Sequence, residues 1–189
     1  MKKQPKTQPA VARQIHLEQA LLTLMRTKGY AQTTVTDICR EANIPRRTFY
    51  HYFDCKDAVL QAVVENMLSE CSLAVMLEFD RGFDVMKDSL IRNFRYWQGA
   101  ARKNLDLLLD NGLSGEMMRT ALRWLESERL IALPQRPGQS EKELEILTMV
   151  GASGFFTLLM HWRRNEYRET PEEMAEIAIR VLSEPLFPH

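Results

Sequence analysis

A chain of 189 residues with 45% apolar residues, 25 Lys+Arg and 25 Asp+Glu has the length of one domain or two small ones and the composition of a folded, helix-rich protein. Three Cys with no C-x-x-C pair exclude a disulfide framework and a four-Cys zinc site, and they suit a reducing cytoplasm. The zero net charge hides an uneven split, since residues 1–60 hold ten Lys/Arg against five Asp/Glu, about +5, and the remainder offsets it at about −5.

Residues 1–9, rich in Lys, Gln and Pro with no apolar stretch behind them, read as a disordered basic arm and not as a secretory signal. Leu17, Ala20, Leu21 and Leu24 recur at helical spacing and predict a first helix from Ala10 to Lys28, stopped by Gly29. Thr34 followed three residues later by Asp37 is a capping pair that opens a short second helix from Val35 to Ala42. Asn43-Ile44-Pro45 makes a tight turn, because Asn tolerates a left-handed backbone and Pro begins a helix more easily than it continues one. A third helix follows from Arg46 to Tyr52. Asp54 and Asp57 form another capping pair, opening a long helix to about Glu78 that bridges two domains.

Farther on, apolar periodicity runs from Asp84 to Trp97, breaks at 99–104, resumes briefly, and breaks again at Asn111-Gly112 and Ser114-Gly115. Glu116 to Ile131 is a further helix, and 133–138 is the clearest loop. Ser140 with Glu143 caps a long helix to about Arg164, and Thr170-Pro171-Glu172-Glu173 starts the last one. The expected architecture is all-α, about nine helices without a sheet. It divides into the arm at 1–9, a small helical domain at 10–56 and a larger one at 57–189. No run of about 18 uncharged apolar residues stands out, so no membrane-spanning helix and no membrane partner is expected.

Two short helices joined by a three-residue turn have the layout of a helix-turn-helix. At about 100° per residue, Arg46, Arg47, Tyr50 and His51 share one face, while Phe49, Tyr52 and Phe53 share the other. Burying Phe49 and Phe53 supplies about 2 to 3 kcal/mol each, enough to anchor a two-turn helix that does not persist alone. The opposite face is then free for DNA: Arg reaches guanine O6 and N7 or clamps a phosphate, and Tyr50, His51, Lys56 and Thr34 suit phosphate oxygens.

The stretch Gly29-Tyr30-x-x-Thr33-Thr34-Val35-x-Asp37-Ile38, continuing through Thr48-Phe49-Tyr50-His51-Tyr52-Phe53-x-x-Lys56-Asp57, resembles the N-terminal DNA-binding domain of TetR-family transcriptional regulators over roughly residues 13–63. The resemblance implies a homodimer whose two heads grip a palindromic double-stranded DNA operator, with a C-terminal domain for dimerisation and an effector. It places DNA contacts at Thr34, Arg46, Arg47, Thr48, Tyr50, His51 and Lys56. Three positions depart from the family pattern. Asn43 stands where Gly is usual, and Pro45 stands where Ser or Thr is usual, which removes a side-chain cap worth about 1 kcal/mol from the recognition helix. Arg47 stands where many members have a small residue.

In the C-terminal half, Gly154-Phe155-Phe156, His161-Trp162 and Thr170–Ala175 loosely resemble regulators of the dihydroxyacetone-kinase activator group, in which the partner can be a protein. Trp97, Met118, Trp124, Phe155 and His161, with Met117 and Met149, are large or singly polar residues that suit core and dimer packing first and an effector cavity between helices second. The four His and three Cys have no metal-ligand spacing, and no phosphate loop or nucleophile elbow occurs. The expectation is therefore a cytoplasmic transcriptional regulator, not an enzyme, without cofactor or metal. It is read first as a ligand-responsive repressor and second as an activator whose C-terminal domain docks a protein. Cys55, beside Lys56 and near a helix start, is a candidate oxidant-sensing thiol, whereas Cys39 and Cys71 read as small buried residues.

Overall fold

The computed structural model describes residues 8–71, 83–127, 138 and 140–183. Among them are nine helices and no strand: α1 (Gln8–Lys28), α2 (Val35–Glu41), α3 (Arg46–Tyr52), α4 (Lys56–Cys71), α5 (Phe83–Gln98), α6 (Arg102–Asp110), α7 (Ser114–Ser127), α8 (Glu141–Arg164) and α9 (Pro171–Ser183). Two compact units result: residues up to 67 with 104–120, and 68–103 with the residues from 121 onward.

Three of the four expected capping pairs act as their chemistry predicts. Thr34 caps α2 by accepting from the Asp37 amide while Asp37 reaches back, and Ser140 and Glu143 do the same for α8. At α9, Thr170 accepts from the Glu173 amide at 3.2 Å and its own amide donates to the Glu173 carboxylate at 2.7 Å. Asn43 takes φ 49° in the α2–α3 turn, the left-handed conformation expected there. Pro45 stands before α3 with no side-chain cap bond.

Some boundaries differ. The first helix starts at Gln8 and not at Ala10: Pro9 fits a first turn, where its missing N–H breaks no bond. The rest of the expected arm, 1–7, lies outside the described residues, as do the stretch toward Glu78, the end of the helix near Ile131, and 133–137 of the loop. Ser114 and Gly115 open α7 where a break was expected. The preceding turn is closed instead by Gly112, at φ 72°, whose amide donates to the Leu109 carbonyl at 2.9 Å.

In the first unit Leu17, Leu21, Ile38, Phe49, Phe53 and Val59 are fully buried, so α1 to α4 share one core. The buried Glu18 carboxylate accepts from Asn66 Nδ2 at 2.7 Å, tying α1 to α4. In the second unit Phe94 of α5 lies 5.2 Å from Phe155 and 5.3 Å from Trp162 of α8, ring to ring. Trp162 in turn lies 5.1 Å from Tyr167, and α5 packs on α9 with a Lys87–Glu176 ion pair at 2.7 Å and an Arg95–Glu172 pair.

By length and composition α8 passes for a membrane-crossing helix, as the core helix of a folded protein also does, because 146–162 contains no Asp, Glu, Lys or Arg. The apolar residues cover more than one face: Leu144, Phe155, Phe156, Leu159 and Trp162 are buried, while Ile146, Met149 and Val150 are exposed.

Candidate nucleic-acid interface

The recognition face is built by the division of α3 into two sides. Phe49 and Phe53 are fully buried and Tyr52 nearly so, whereas Arg46, Arg47, Tyr50 and His51 are exposed and Thr48 is half-buried. Phe49 meets Tyr50 edge-on at 5.4 Å and lies 6.0 Å from Phe53. The Arg13 guanidinium of α1 reaches the Tyr52 hydroxyl at 3.5 Å. A helix this short is held by its aromatic side against α1 and α2.

The exposed side is not uniform. Arg46 Nη2 donates to the Tyr50 hydroxyl at 3.2 Å and its guanidinium lies 5.9 Å from the Tyr50 ring centre, so one turn of helix presents a paired cation and phenol. Arg47 and His51 form no side-chain hydrogen bond or ion pair with any described residue. Thr34 is exposed, but its amide donates to Asp37 at 2.9 Å and its hydroxyl to the same carboxylate at 2.5 Å. Lys28 pairs with that carboxylate at 2.6 Å, and the Lys28 and Thr34 bonds hold Asp37 well below the usual carboxylate range.

Lys56 is half-buried: its ammonium donates to the Tyr30 carbonyl at 2.8 Å and sits 4.1 Å from the Tyr30 ring centre. The Tyr30 hydroxyl donates to Asp57, and burial, reinforced by that bond, raises the phenol above its ordinary range. Sequence reasoning did not foresee Tyr30 as the partner of Lys56 and Asp57, although the Gly29-Tyr30 pair was visible at the end of α1.

The expected effector residues are dispersed. Trp97 and Phe155 are buried in the second unit, Trp124 is half-buried there, and Met118 is half-buried in the first unit. His161 is exposed on α8, its Nε2 2.9 Å from Asn165 Nδ2. A line that sequence reasoning did not single out runs along α5: Ser89, Asn93 and Trp97, one helical turn apart and all buried. The Cys71 thiol donates to Asn93 Oδ1 at 2.6 Å, and burial pushes it up to about 12. The neighbouring Trp97 indole weakly opposes that rise, and its Nε1 finds no full hydrogen-bond partner among the described residues. Cys39 and Cys71 are buried and Cys55 is exposed, all three as free thiols.

The family model for bacterial regulatory proteins, tetR family, matches residues 17–63, the segment that carries α2, α3 and the contacts above. The chain is 34% identical over 67 residues to the HTH-type transcriptional regulator EthR of Mycolicibacterium smegmatis, a match covering 35% of this chain and 27% of that protein. It is 37% identical over 70 residues to the HTH-type dhaKLM operon transcriptional activator DhaS of Lactococcus lactis, covering 37% of this chain and 34% of that one. The matches thus span about a third of these curated relatives. Among solved structures, the multidrug binding protein EbrR complexed with imidazole superposes with a TM-score of 0.62 at 17% identity, over 92% of this chain and 96% of that one, which establishes a shared fold.

Proposed function

We propose, from the match of residues 17–63 to the family model for bacterial regulatory proteins, tetR family, that this chain is a DNA-binding repressor acting as a homodimer on a palindromic operator and released by a small-molecule effector. The observation that carries the reading is α3: a helix whose aromatic side is fully buried while Arg46, Arg47, Tyr50 and His51 stand clear of the core. Arg47 reaches into the major groove, the Arg46–Tyr50 pair and His51 meet phosphates, and Thr48, Lys56 and Thr34 border the contact. Residues 10–56 act as the DNA-binding domain and 57–189 as the dimerisation and regulatory domain.

The exposed apolar residues Ile146, Met149 and Val150 on α8 and Val181 on α9 support a second copy of the chain docking there, since such a patch on a folded protein marks an interaction site. The reading requires two heads to meet operator half-sites one helical turn apart, about 34 Å. For the effector, Trp97, Phe155 and Trp124, all in the second unit, supply an apolar lining and Trp97 Nε1 a donor. The effector acts by binding one arrangement of the dimer better than the other, and its leverage equals that differential affinity, about 1 to 3 kcal/mol.

A second reading, an activator whose C-terminal domain docks a protein, is favoured by the match to the activator DhaS. Selection of duplexes from a random library, followed by binding at several salt concentrations, tests the DNA reading. A palindromic consensus bound by wild type and weakened by Arg47→Ala and Tyr50→Ala supports it. Equal affinity for all duplexes overturns it.

A further inference from the structure

We propose that Tyr30 and Asn111 are positioning residues for the DNA contact: Asn111, at the α6–α7 turn, fixes the Tyr30 backbone, and Tyr30 fixes the Lys56 ammonium. The inference rests on the DNA-binding reading above and assigns a task to two residues outside α3.

Every polar group of Tyr30 is engaged. Its amide donates to Asn111 Oδ1 at 2.6 Å, its carbonyl accepts from Lys56 Nζ at 2.8 Å and from the Thr33 amide at 3.1 Å, and its hydroxyl donates to Asp57. The Asn111 amide group is itself held at both ends, because its Nδ2 donates to the Leu107 carbonyl of α6 at 2.8 Å. Gly29, at φ 81°, turns the chain out of α1 so that the Tyr30 N–H faces Asn111.

The consequence falls on Lys56. One of its three donors is fixed on Tyr30 and its charge rests 4.1 Å from the Tyr30 ring centre, which leaves two donors for phosphate oxygens and removes most of the side-chain freedom that a phosphate contact otherwise has to freeze. Losing the Asn111 acceptor frees the Tyr30 amide and loosens the carbonyl and ring that hold Lys56. The Asn111 turn joins α6, which begins in the second unit, to α7, which ends there. A displacement of the α6–α7 turn therefore reaches Lys56 through the Asn111 side chain and Tyr30.

The test uses the full-length protein and the duplex that wild type selects, with affinity read by fluorescence anisotropy across a salt series for Asn111→Ala, Asn111→Asp, Lys56→Gln and the double variant Asn111→Ala with Lys56→Gln. Asn111→Ala is expected to bind about threefold to tenfold more weakly and to lower the salt slope by nearly one, as Lys56→Gln does. Asn111→Asp, which keeps an acceptor for the Tyr30 amide, retains the wild-type slope. The double variant loses no more slope than Lys56→Gln alone. If Asn111→Ala lowers the melting temperature while its affinity and slope at a temperature where it is folded match wild type, the inference is overturned and Asn111 is structural only. Additive slope losses in the double variant also overturn it. Wild type that selects no duplex overturns the DNA-binding reading itself.

Discussion

The two-sided character of α3 makes a sharp prediction through the pair Phe49→Ala and Arg47→Ala. Phe49 is 0% exposed and packs against Phe53 and the edge of Tyr50, so its truncation costs about 3 to 5 kcal/mol in lost transfer energy and residual cavity. Little compensates, because α3 spans Arg46–Tyr52, has no side-chain cap at Pro45, and is too short to persist off the core. At 1.4 kcal/mol per tenfold, the population with α3 detached rises by at least about a hundredfold. Arg47 lies on the opposite side, exposed, and its removal changes stability by no more than about 0.5 kcal/mol while removing about 1 to 3 kcal/mol of discrimination at one base pair. Urea unfolding followed by far-UV circular dichroism, alongside duplex binding by anisotropy, separates the two. An unfolding midpoint for Phe49→Ala equal to that of wild type, or one for Arg47→Ala as low as that of Phe49→Ala, refutes the assignment of faces.

Three further outcomes follow from the same geometry. Under native conditions a chromogenic disulfide reagent should titrate Cys55 alone at speed, with Cys39 and Cys71 reacting only after unfolding; rapid reaction of Cys71 contradicts its burial and raised pKa. Asp37 has a folded-state pKa depressed by Lys28 and Thr34, so its contribution to stability is complete above its unfolded value near 3.8 and disappears as pH falls through the folded value. The melting temperature of Asp37→Asn should accordingly fall less than that of wild type between neutral pH and the strongly acidic range, and parallel curves reject the linkage. Val150→Glu, at a site 63% exposed, should leave a folded chain that sediments as a monomer at concentrations where wild type is a dimer. A wild type that remains monomeric at all concentrations removes the basis for the interface.

Local chemistry was legible wherever one residue's demand is met within a few positions. The capping pairs Thr34–Asp37, Ser140–Glu143 and Thr170–Glu173 each span three residues and each forms as read. The same holds for the α3 faces, since side-chain direction on a helix follows from spacing alone, and for the left-handed Asn43. What the residue pattern did not disclose depends on partners far along the chain. The Tyr30 amide and Asn111 are 81 positions apart, and a Gly-Tyr step and an Asn-Gly step each read as an ordinary turn until they meet. Thr34 and Lys56 show the converse: their side chains suit phosphate, and the structure shows each already bonded inside the protein, Thr34 to Asp37 and Lys56 to Tyr30.

The same distinction governs α8. An apolar run with helical spacing specifies that a face is buried, but 146–162 is apolar nearly all round, and hydropathy treats a residue against a core and a residue against a second molecule alike. The structure separates them: Phe155, Phe156, Leu159 and Trp162 meet the second unit's interior, whereas Ile146 and Val150, four apart and both more than half exposed, lie on the helix surface. The helix begins at a capping box and ends in Arg163 and Arg164, so both ends carry groups that water satisfies, while the exposed Ile146, Met149 and Val150 of its first half do not match them. An exposed apolar face bounded in this way fits another apolar helix face, and Val181 on α9 adds exposed apolar surface of the kind a paired contact buries. That is why a single acidic substitution at Val150 tests the assembly without touching the core: the carboxylate stays solvated in a monomer and is forced out of water only if a second copy covers it.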